Sequence, residues 1–346
     1  MESKVKDVKC VVWDLDNTIW DGVLSEADCV KLKPGIKDII LELDQRGILN
    51  SIASKNNYDD AFSKLKEFGL DEYFLYPEIS WNPKSVSITR IQKNLNIGID
   101  TFMFVDDQLF ELDEVKACHG EVECFQADNY MRLLTLERLN PRFITIDSKM
   151  RRKMYLDDIR RHSVEESFEG TPEAFLASLN LHFIISPAKE EDLKRAEELT
   201  FRTHQLNATG VTYDYNELLN LMNSDKHKLY ICELTDRYGS YGKIGLALVE
   251  ILDDCWYLKL LLMSCRVISR GVGTILMTYI MKETKKAGKI LIADFKRTDR
   301  NKQMYVAYKF ANFSVKEDDG NGNLVMINDL SVINEFPPYI NVEILE

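Results

Sequence analysis

No apolar run in this chain is long enough to span a bilayer, so its 346 residues are not expected to include a transmembrane helix. Cys-x-x-Cys spacing is missing too. The seven cysteines are scattered and odd in number, which argues against a disulfide framework or a structural zinc site and fits a reducing compartment. His119 beside Cys118 and Cys124 does not complete a ligand set. Positive charge is in deficit: 44 Lys and Arg against 56 Asp and Glu give a net charge of −12. Nucleic acid is therefore not an expected partner, because such binding draws on phosphate neutralisation by clustered cations. Met1 to Lys9 are charged and run straight into the first strand, so no signal peptide and no membrane contact are expected, and a cytoplasmic location is. With 45% hydrophobic and 29% charged residues, the composition is that of an ordinary globular protein long enough for two domains.

Against these absences stands Asp14-Leu15-Asp16-Asn17-Thr18, directly after the apolar run Cys10-Val11-Val12-Trp13. Side chains in an extended segment alternate faces, so Asp14 and Asp16 are expected to point the same way and share a divalent cation. A hard ion such as Mg²⁺ binds through one or two carboxylates and keeps its other positions for water and phosphate oxygens. Asp14 could then attack phosphorus, and Asp16 could serve as general acid for the leaving oxygen.

The surroundings support a phosphate site. Ile36, Ile39, Ile40 and Leu43 have helical spacing and Gly47 closes that helix; a strand over 48–53 ends at Ser54-Lys55-Asn56; Ala61, Phe62, Leu65 and Phe68 mark a second helix. Pro83-Lys84 precedes a third, and the strand 101–105 delivers Asp106-Asp107. Alternating strands and helices imply a parallel sheet covered on both faces, with ligands at the carboxyl ends of its strands. Each residue also has an ordinary structural use: Ser54 as a helix cap, Lys84 as a surface lysine, Asp106-Asp107 as a solvated turn.

The set resembles the four motifs of the haloacid dehalogenase-like phosphotransferases over about the first 130 residues. That resemblance implies Asp14 as nucleophile, Asp16 as acid/base, Ser54, Lys55, Asn56 and Lys84 around the phosphate, and Asp14, Asp16 and Asp106 around Mg²⁺, with Asp107 in support. Positions 17–53 and 55–83 leave only 37 and 29 residues between Asp16, Ser54 and Lys84. Neither gap houses a large lid domain, so a capless site is expected.

In the second half, Thr171-Pro172 reads as the start of a short helix to Leu181, and residues 190–207 as a longer one. On that helix His204 would lie about 20° from Leu193 on the wheel, and Asn207 about 40° to its other side. A buried, hydrogen-bonded histidine is the structural expectation; a role at a site is the functional one. Strands at 229–233, 243–251 and 256–263, separated by turn residues, imply antiparallel hairpins. The last leads through Ser264-Cys265-Arg266 into Ser269-Arg270-Gly271-Val272-Gly273 and a helix, an arrangement whose free NH groups suit an anion. This resembles the GNAT acyltransferases, with Gly271, Gly273, Arg266 and Arg270 as substrate contacts. Where the usual pattern has Gln or Arg, three positions before the first Gly, stands Ile268. Cys265, flanked by cations, is a candidate nucleophile, and a buried structural cysteine is the alternative. The cationic run Lys149, Arg151, Arg152, Lys153, Arg160, Arg161 and His162 reads as a solvated connecting helix, with a dock for an acidic protein as the alternative.

Taken together, the halves resemble the FkbH-like family of polyketide pathways across essentially the whole chain. The carriers are Val12-Trp13-Asp14-Leu15-Asp16-Asn17-Thr18, Trp20-Asp21-Gly22-Val23-Leu24, Ala53-Ser54-Lys55-Asn56, Pro83-Lys84 and Phe104-Val105-Asp106-Asp107-Gln108, then Arg202-Thr203-His204-Gln205-Leu206-Asn207, Gly239 to Gly245 and Ser264-Cys265-Arg266-Val267. The expected fold is α/β: a capless HAD-like Rossmannoid parallel sheet (1–146), a helical linker (147–170) and a GNAT-like α+β domain (171–346). The resemblance implies that 1,3-bisphosphoglycerate supplies a three-carbon acyl group to the phosphopantetheine thiol of an acyl carrier protein. Cys265 would carry the phosphoglyceryl thioester, His204 would assist proton transfer, Asn207 would touch substrate, and Asp14 with Asp16 and Mg²⁺ would remove the phosphate. The alternative is a phosphatase acting on a small phosphorylated metabolite or a phosphoprotein, its second domain only binding a partner.

Overall fold

The computed structural model describes residues 6–26 and 29–346; the side chains of Cys265 and Ser269 lie outside what is described. The chain divides into two compact units, Met1–Leu156 and Asp157–Glu346.

The first unit runs β1 (Cys10–Trp13), β2 (Trp20–Asp21), β3 (Lys31–Leu32), α1 (Ile36–Gln45), β4 (Leu49–Ser54), α2 (Tyr58–Glu67), β5 (Glu78–Ile79), α3 (Lys84–Leu95), β6 (Phe102–Asp106), α4 (Leu109–Cys118) and β7 (Glu123–Gln126). Five strands pair in the order β5-β4-β1-β6-β7, and every pairing is parallel. This is why β1, β4 and β6 are buried along their whole length, and why β1 and, up to Asp106, β6 read as unbroken apolar runs rather than alternating ones. Helices end where the sequence says they do. Asn57 caps α2 by accepting from the NH groups of Asp59 and Asp60. Gly47 follows α1 at φ +72, and a Cβ there would stand 2.6 Å from the Ser148 carbonyl oxygen, so both conformation and space require glycine. Asp14, Ser54 and Asp106 all fall at carboxyl ends of adjacent strands. The short antiparallel pair β2–β3 follows the first acidic motif.

After α5 (Ile146–Lys149), the helix α6 (Arg151–Glu166) contains the point where the two units divide. Its cations are not the solvated set expected. Arg151 donates to the Gly47 carbonyl, Arg152 to Asp44 at 3.0 Å, and the fully buried Arg161 donates to both carboxylate oxygens of Asp236 at 2.7 and 3.0 Å. Three of the charges that made the run look like a dock are spent on internal acceptors.

The second unit continues with α7 (Pro172–Ser178), β8 (Leu181–Pro187), α8 (Leu193–Arg202), α9 (Tyr215–Met222), β9 (His227–Asp236), β10 (Gly239–Ile251), β11 (Cys255–Met263), α10 (Ile275–Lys286), β12 (Ile290–Lys296), α11 (Lys302–Phe310), β13 (Ser314–Asp318), β14 (Asn323–Asn328) and β15 (Ile340–Ile344). They form an eight-stranded sheet in the order β13-β14-β12-β11-β10-β9-β8-β15, antiparallel except at β11–β12 and β8–β15. Hairpins join β9, β10 and β11 as the turn residues indicated.

Two expectations fail here for identifiable reasons. The first helix stops at Ser178 rather than Leu181, because Asn180 adopts a left-handed φ of 54° and Leu181 begins β8. The helix expected over 190–207 is a single 3₁₀ turn, Glu190–Asp192, followed by α8, which ends at Arg202 where Thr203 turns extended (φ −97°, ψ 116°). Residues 206–208 are instead strand-like. β11 and β12 pair only over Cys255–Leu258 and Ile290–Ala293. Beyond, the segment lies between them: Met263 donates to Leu206 O at 2.8 Å, Ala208 to Leu261 O at 3.0 Å, and Lys296 to Ala208 O at 2.8 Å. Backbone groups that two separating strands would leave unpaired are satisfied by the chain itself.

Candidate functional site

In the first unit the chain leaves β1 at Trp13 and delivers Asp14, almost fully buried, next to Lys84 at the start of α3. Lys84, itself 3% exposed, donates to Asp14, to the Ala53 carbonyl at 2.8 Å and to Asp106 at 3.1 Å. A buried ammonium needs such partners to remain charged. Burial works to lower its pKa, but the charges of Asp14 and Asp106 outweigh that and hold it above the usual lysine value. Asp106, 1% exposed and capped by the Gln108 NH at 2.8 Å, is pushed up to about 7, first by burial and then by the Asp14 charge, with Lys84 opposing. Burial and Asp14 also raise Asp107.

Asp14, Asp106 and Asp107 each offer an oxygen within 4.8 Å of the others, and Asp107 Oδ1 is buried without a hydrogen-bond partner. Three converging carboxylates, two of them raised by burial and mutual repulsion, fit a divalent cation, which would relieve both penalties.

Asp16 is not in this group. Its Oδ1 accepts from the Trp20 indole at 2.7 Å and the Leu24 NH at 3.0 Å, and its Oδ2 accepts from the Asn56 amide at 3.0 Å. Both acids lie beyond the end of β1 at Trp13, and the chain turns at Asn17 with a φ of +52°. Among the described residues, the three-carboxylate group joins Asp107, rather than Asp16, to Asp14 and Asp106. Ser54 is buried, its hydroxyl 3.3 Å from the same Asn56 amide. Lys55 is paired with Glu111 at 2.6 Å, which fixes the start of α4 against the end of β4. The hydrogen bonds from Trp20 and Leu24 come from the β2–β3 region; a two-residue strand gives little sequence signal, and these partners were not foreseen.

The second unit places its candidates differently from expectation. His204 is exposed on the segment after α8, not on a buried helical face. Asn207 is buried, and its side chain serves its own turn: Oδ1 accepts from Thr209 and Gly210 at 3.1 and 2.8 Å, and Nδ2 reaches Thr203 O at 3.4 Å. Its carbonyl accepts from Asn301 at 3.0 Å. Arg270 is 1% exposed and turned toward Asp158 at 3.4 Å and Glu165 at 3.5 Å, so it faces α6 rather than a ligand. Gly271 has φ +70 and its would-be Cβ position is taken by the Tyr339 hydroxyl, whereas Gly273 has open space. Arg266 contacts Ser264 Oγ at 3.4 Å. Cys265 begins a 3₁₀ segment, Cys265–Arg270, two residues past β11; its thiol is outside the described side chains. An isolated antiparallel bridge joins Asn207 to Leu262, three residues before Cys265.

No family model and no curated protein matches the chain. Among solved structures, it is similar to the N-terminal, phosphatase-domain-containing part of a Bacteroides fragilis protein complexed with Mg, at 30% identity over 39% of this chain and 40% of that one, with a TM-score of 0.34. The match thus spans about two fifths of that chain's length. It is also similar to the ribosomal-protein-S18-alanine N-acetyltransferase of Escherichia coli, at 15% identity over 44% of this chain and 97% of that one, TM-score 0.34. The PaiA N-acetyltransferase of Thermoplasma acidophilum, in complex with coenzyme A, matches at 17% identity over 42% of this chain and 98% of that one, TM-score 0.34. No helix among the described residues is long and apolar enough to cross a membrane.

Proposed function

We propose that this chain transfers a three-carbon acyl unit from 1,3-bisphosphoglycerate to the phosphopantetheine thiol of an acyl carrier protein in polyketide biosynthesis, and removes the remaining phosphate. The observation that supports the phosphoester half of this reading is the convergence of Asp14, Lys84, Asp106 and Asp107 at adjacent strand ends, with Asp16 held by the Asn56 amide and other donors.

In the acyl step the Cys265 thiolate attacks the carbonyl carbon of the acyl phosphate; the C–S bond forms, the C–O bond breaks, and inorganic phosphate departs with the electron pair. His204, exposed three residues before Asn207, which bridges to Leu262 near Cys265, is assigned as the acceptor of the thiol proton. The carrier thiol later attacks the thioester carbon and releases Cys265 as thiolate.

In the phosphoester step Asp14 attacks phosphorus, and Asp16 gives a proton to the departing alkoxide; water then cleaves the aspartyl phosphate, with Asp16 taking up its proton. The two acids suit different tasks. Asp14 is oriented by Lys84, whereas Asp16 is positioned by the Trp20 indole, the Leu24 NH and the Asn56 amide. Mg²⁺ held by Asp14, Asp106 and Asp107 would neutralise charge on the phosphoryl oxygens. Lys84 orients the nucleophile, and its buried charge offsets that of the incoming phosphate.

A second reading draws on the inward turn of Arg270 and the self-bonded Asn207, which leave the second unit fewer ligand groups than expected: a phosphatase whose second unit only binds a partner. Asp14→Asn separates the two. On the acyl-transfer reading this variant still delivers a phosphorylated acyl product to the carrier; a dephosphorylated product at the normal rate would remove the first unit from the mechanism, and no acyl-carrier product from either protein would favour the second reading.

A further inference from the structure

One stretch of the second unit runs against the acidity of the chain. Over residues 296–310, from the end of β12 to the end of α11, five cations stand against one acid, Asp299. Lys296, Arg297, Arg300, Lys302 and Lys309 are all exposed, and among the described residues none of them makes a salt bridge. This sets them apart from Arg151, Arg152 and Arg161, which meet internal acceptors. The acids of the β13–β14 hairpin, which meets this stretch where the Arg297 NH donates to Gly322 O at 2.7 Å, are engaged in their own turn. Asp318 accepts from the Gly320 NH at 2.9 Å, and Asp319 from the NH groups of Asn321 and Asn323 at 2.7 and 3.0 Å. Apolar contact area is added by α11. Lys302, Val306 and Phe310 follow one another at four-residue spacing and share a helical face, and Phe310 is three-quarters exposed. The other side of the helix is anchored in the core by Met304 and Tyr308. An exposed aromatic ring among cations is the composition of an interface.

This surface adjoins the segment that carries His204. Asn301, between Arg300 and Lys302, donates to the Asn207 carbonyl at 3.0 Å, and the Lys296 NH donates to Ala208 O at 2.8 Å. Asn207 lies three residues after His204 and bridges to Leu262, three before Cys265. Charge and shape then select the occupant. Nucleic acid is disfavoured, because five cations confined to fifteen residues offer few phosphate contacts on a chain with a net charge of −12. Lying in an anionic membrane takes a long helix with a broad apolar face, whereas α11 has nine residues and exposes two large apolar side chains, Val306 and Phe310. An acidic protein surface with an apolar contact for Phe310 meets both features, and opposite charge speeds its encounter.

We propose that the 296–310 face is the docking surface for an acidic protein partner, the carrier that accepts the acyl group. The inference rests on the function proposed above and supplies the surface by which that partner is recognised. Lys302 and Lys309 steer the encounter, and Phe310 is the apolar anchor at its centre.

The test uses the full chain with Mg²⁺, 1,3-bisphosphoglycerate and a phosphopantetheinylated acidic carrier protein, and compares the wild type with Phe310→Ser and with the double charge reversal Lys302→Glu, Lys309→Glu. These substitutions alter exposed side chains. The double reversal is expected to raise the KM for the carrier about tenfold and to flatten its dependence on salt, with kcat unchanged. Phe310→Ser is expected to raise that KM about fivefold. Formation of the acyl adduct on the chain from 1,3-bisphosphoglycerate alone, read by intact mass, should be the same in all three proteins. An unchanged carrier KM in both variants, or an equal loss of adduct formation and carrier loading, overturns the docking assignment while leaving the acyl-transfer reading in place. Binding of phosphatidylserine vesicles or of a DNA duplex that the double reversal abolishes, with the carrier KM unmoved, overturns it in favour of that ligand. Absence of both the adduct and the loaded carrier with the wild type overturns the acyl-transfer reading and the docking assignment with it.

Discussion

The ammonium of Lys84 lies 3.1 Å from Oδ2 of Asp106, with both side chains buried at the carboxyl end of the parallel sheet. The pair sets the charge balance of the first site. Lys84→Met leaves Asp14 and Asp106 facing each other without a cation, which is expected to destabilise the first unit by about 3 kcal/mol and to slow phosphoester hydrolysis about a hundredfold or more. Because Mg²⁺ replaces part of the missing charge, it should raise the melting temperature of the variant more than that of the wild type. Thermal melts with and without Mg²⁺ measure both effects.

Asp106 makes stability depend on pH with a definite sign. Its folded pKa of about 7 lies above the ordinary 3.8, so between those values the folded protein holds more protons than the unfolded one, and stability falls as pH rises. The contribution is fully present below about pH 4 and lost by pH 7. Metal-free protein should therefore melt at a lower temperature at pH 7 than at pH 5.5, Asp106→Asn should flatten that slope, and Mg²⁺ should protect more strongly at pH 8 than at pH 5.5 because it needs the deprotonated carboxylate. Melting curves across pH check all three.

In the second unit, Asp236 takes two hydrogen bonds from Arg161, the Tyr241 hydroxyl at 2.9 Å and the NH groups of Tyr238 and Gly239 at 2.8 and 3.1 Å. Asp236→Ala removes the bidentate partner of a fully buried guanidinium and should cost about 3 kcal/mol. Urea unfolding followed by Trp256 fluorescence is the measurement, since Trp256 is buried in that unit's core.

Gly47→Ala tests the backbone of the first unit. At φ +72 and against the Ser148 carbonyl, an added Cβ has neither the conformation nor the room it needs. A loss of about 2 kcal/mol or more is expected from chemical denaturation.

Much of the first site was legible in the chain because parallel strands announce themselves. Val11-Val12-Trp13, Ile52-Ala53 and Phe102 to Val105 are continuous apolar runs, and the polar residue that ends each one lies where ligands bind. What sequence could not supply was the partner of each acid. Asp16 is claimed by Trp20, Leu24 and Asn56, and Asp107 joins Asp14 and Asp106; both outcomes depend on where the chain turns after a strand, not on residue type. In the second half, helical spacing over 190–207 was real in composition but was overridden beyond Arg202, because Leu206 and Ala208 find strand partners on β11 and β12. The buried fate of Arg270 follows from Asp158 and Glu165, more than a hundred residues earlier in the chain.

The most direct test of the account is to supply 1,3-bisphosphoglycerate and a phosphopantetheinylated carrier protein to the wild type and to Cys265→Ala, and to weigh both proteins intact. The account predicts a phosphoglyceryl adduct on the wild-type chain, a glyceryl adduct on the carrier, and neither with Cys265→Ala. An adduct that survives on the Cys265→Ala chain, or a carrier loaded at the normal rate without Cys265, would contradict it.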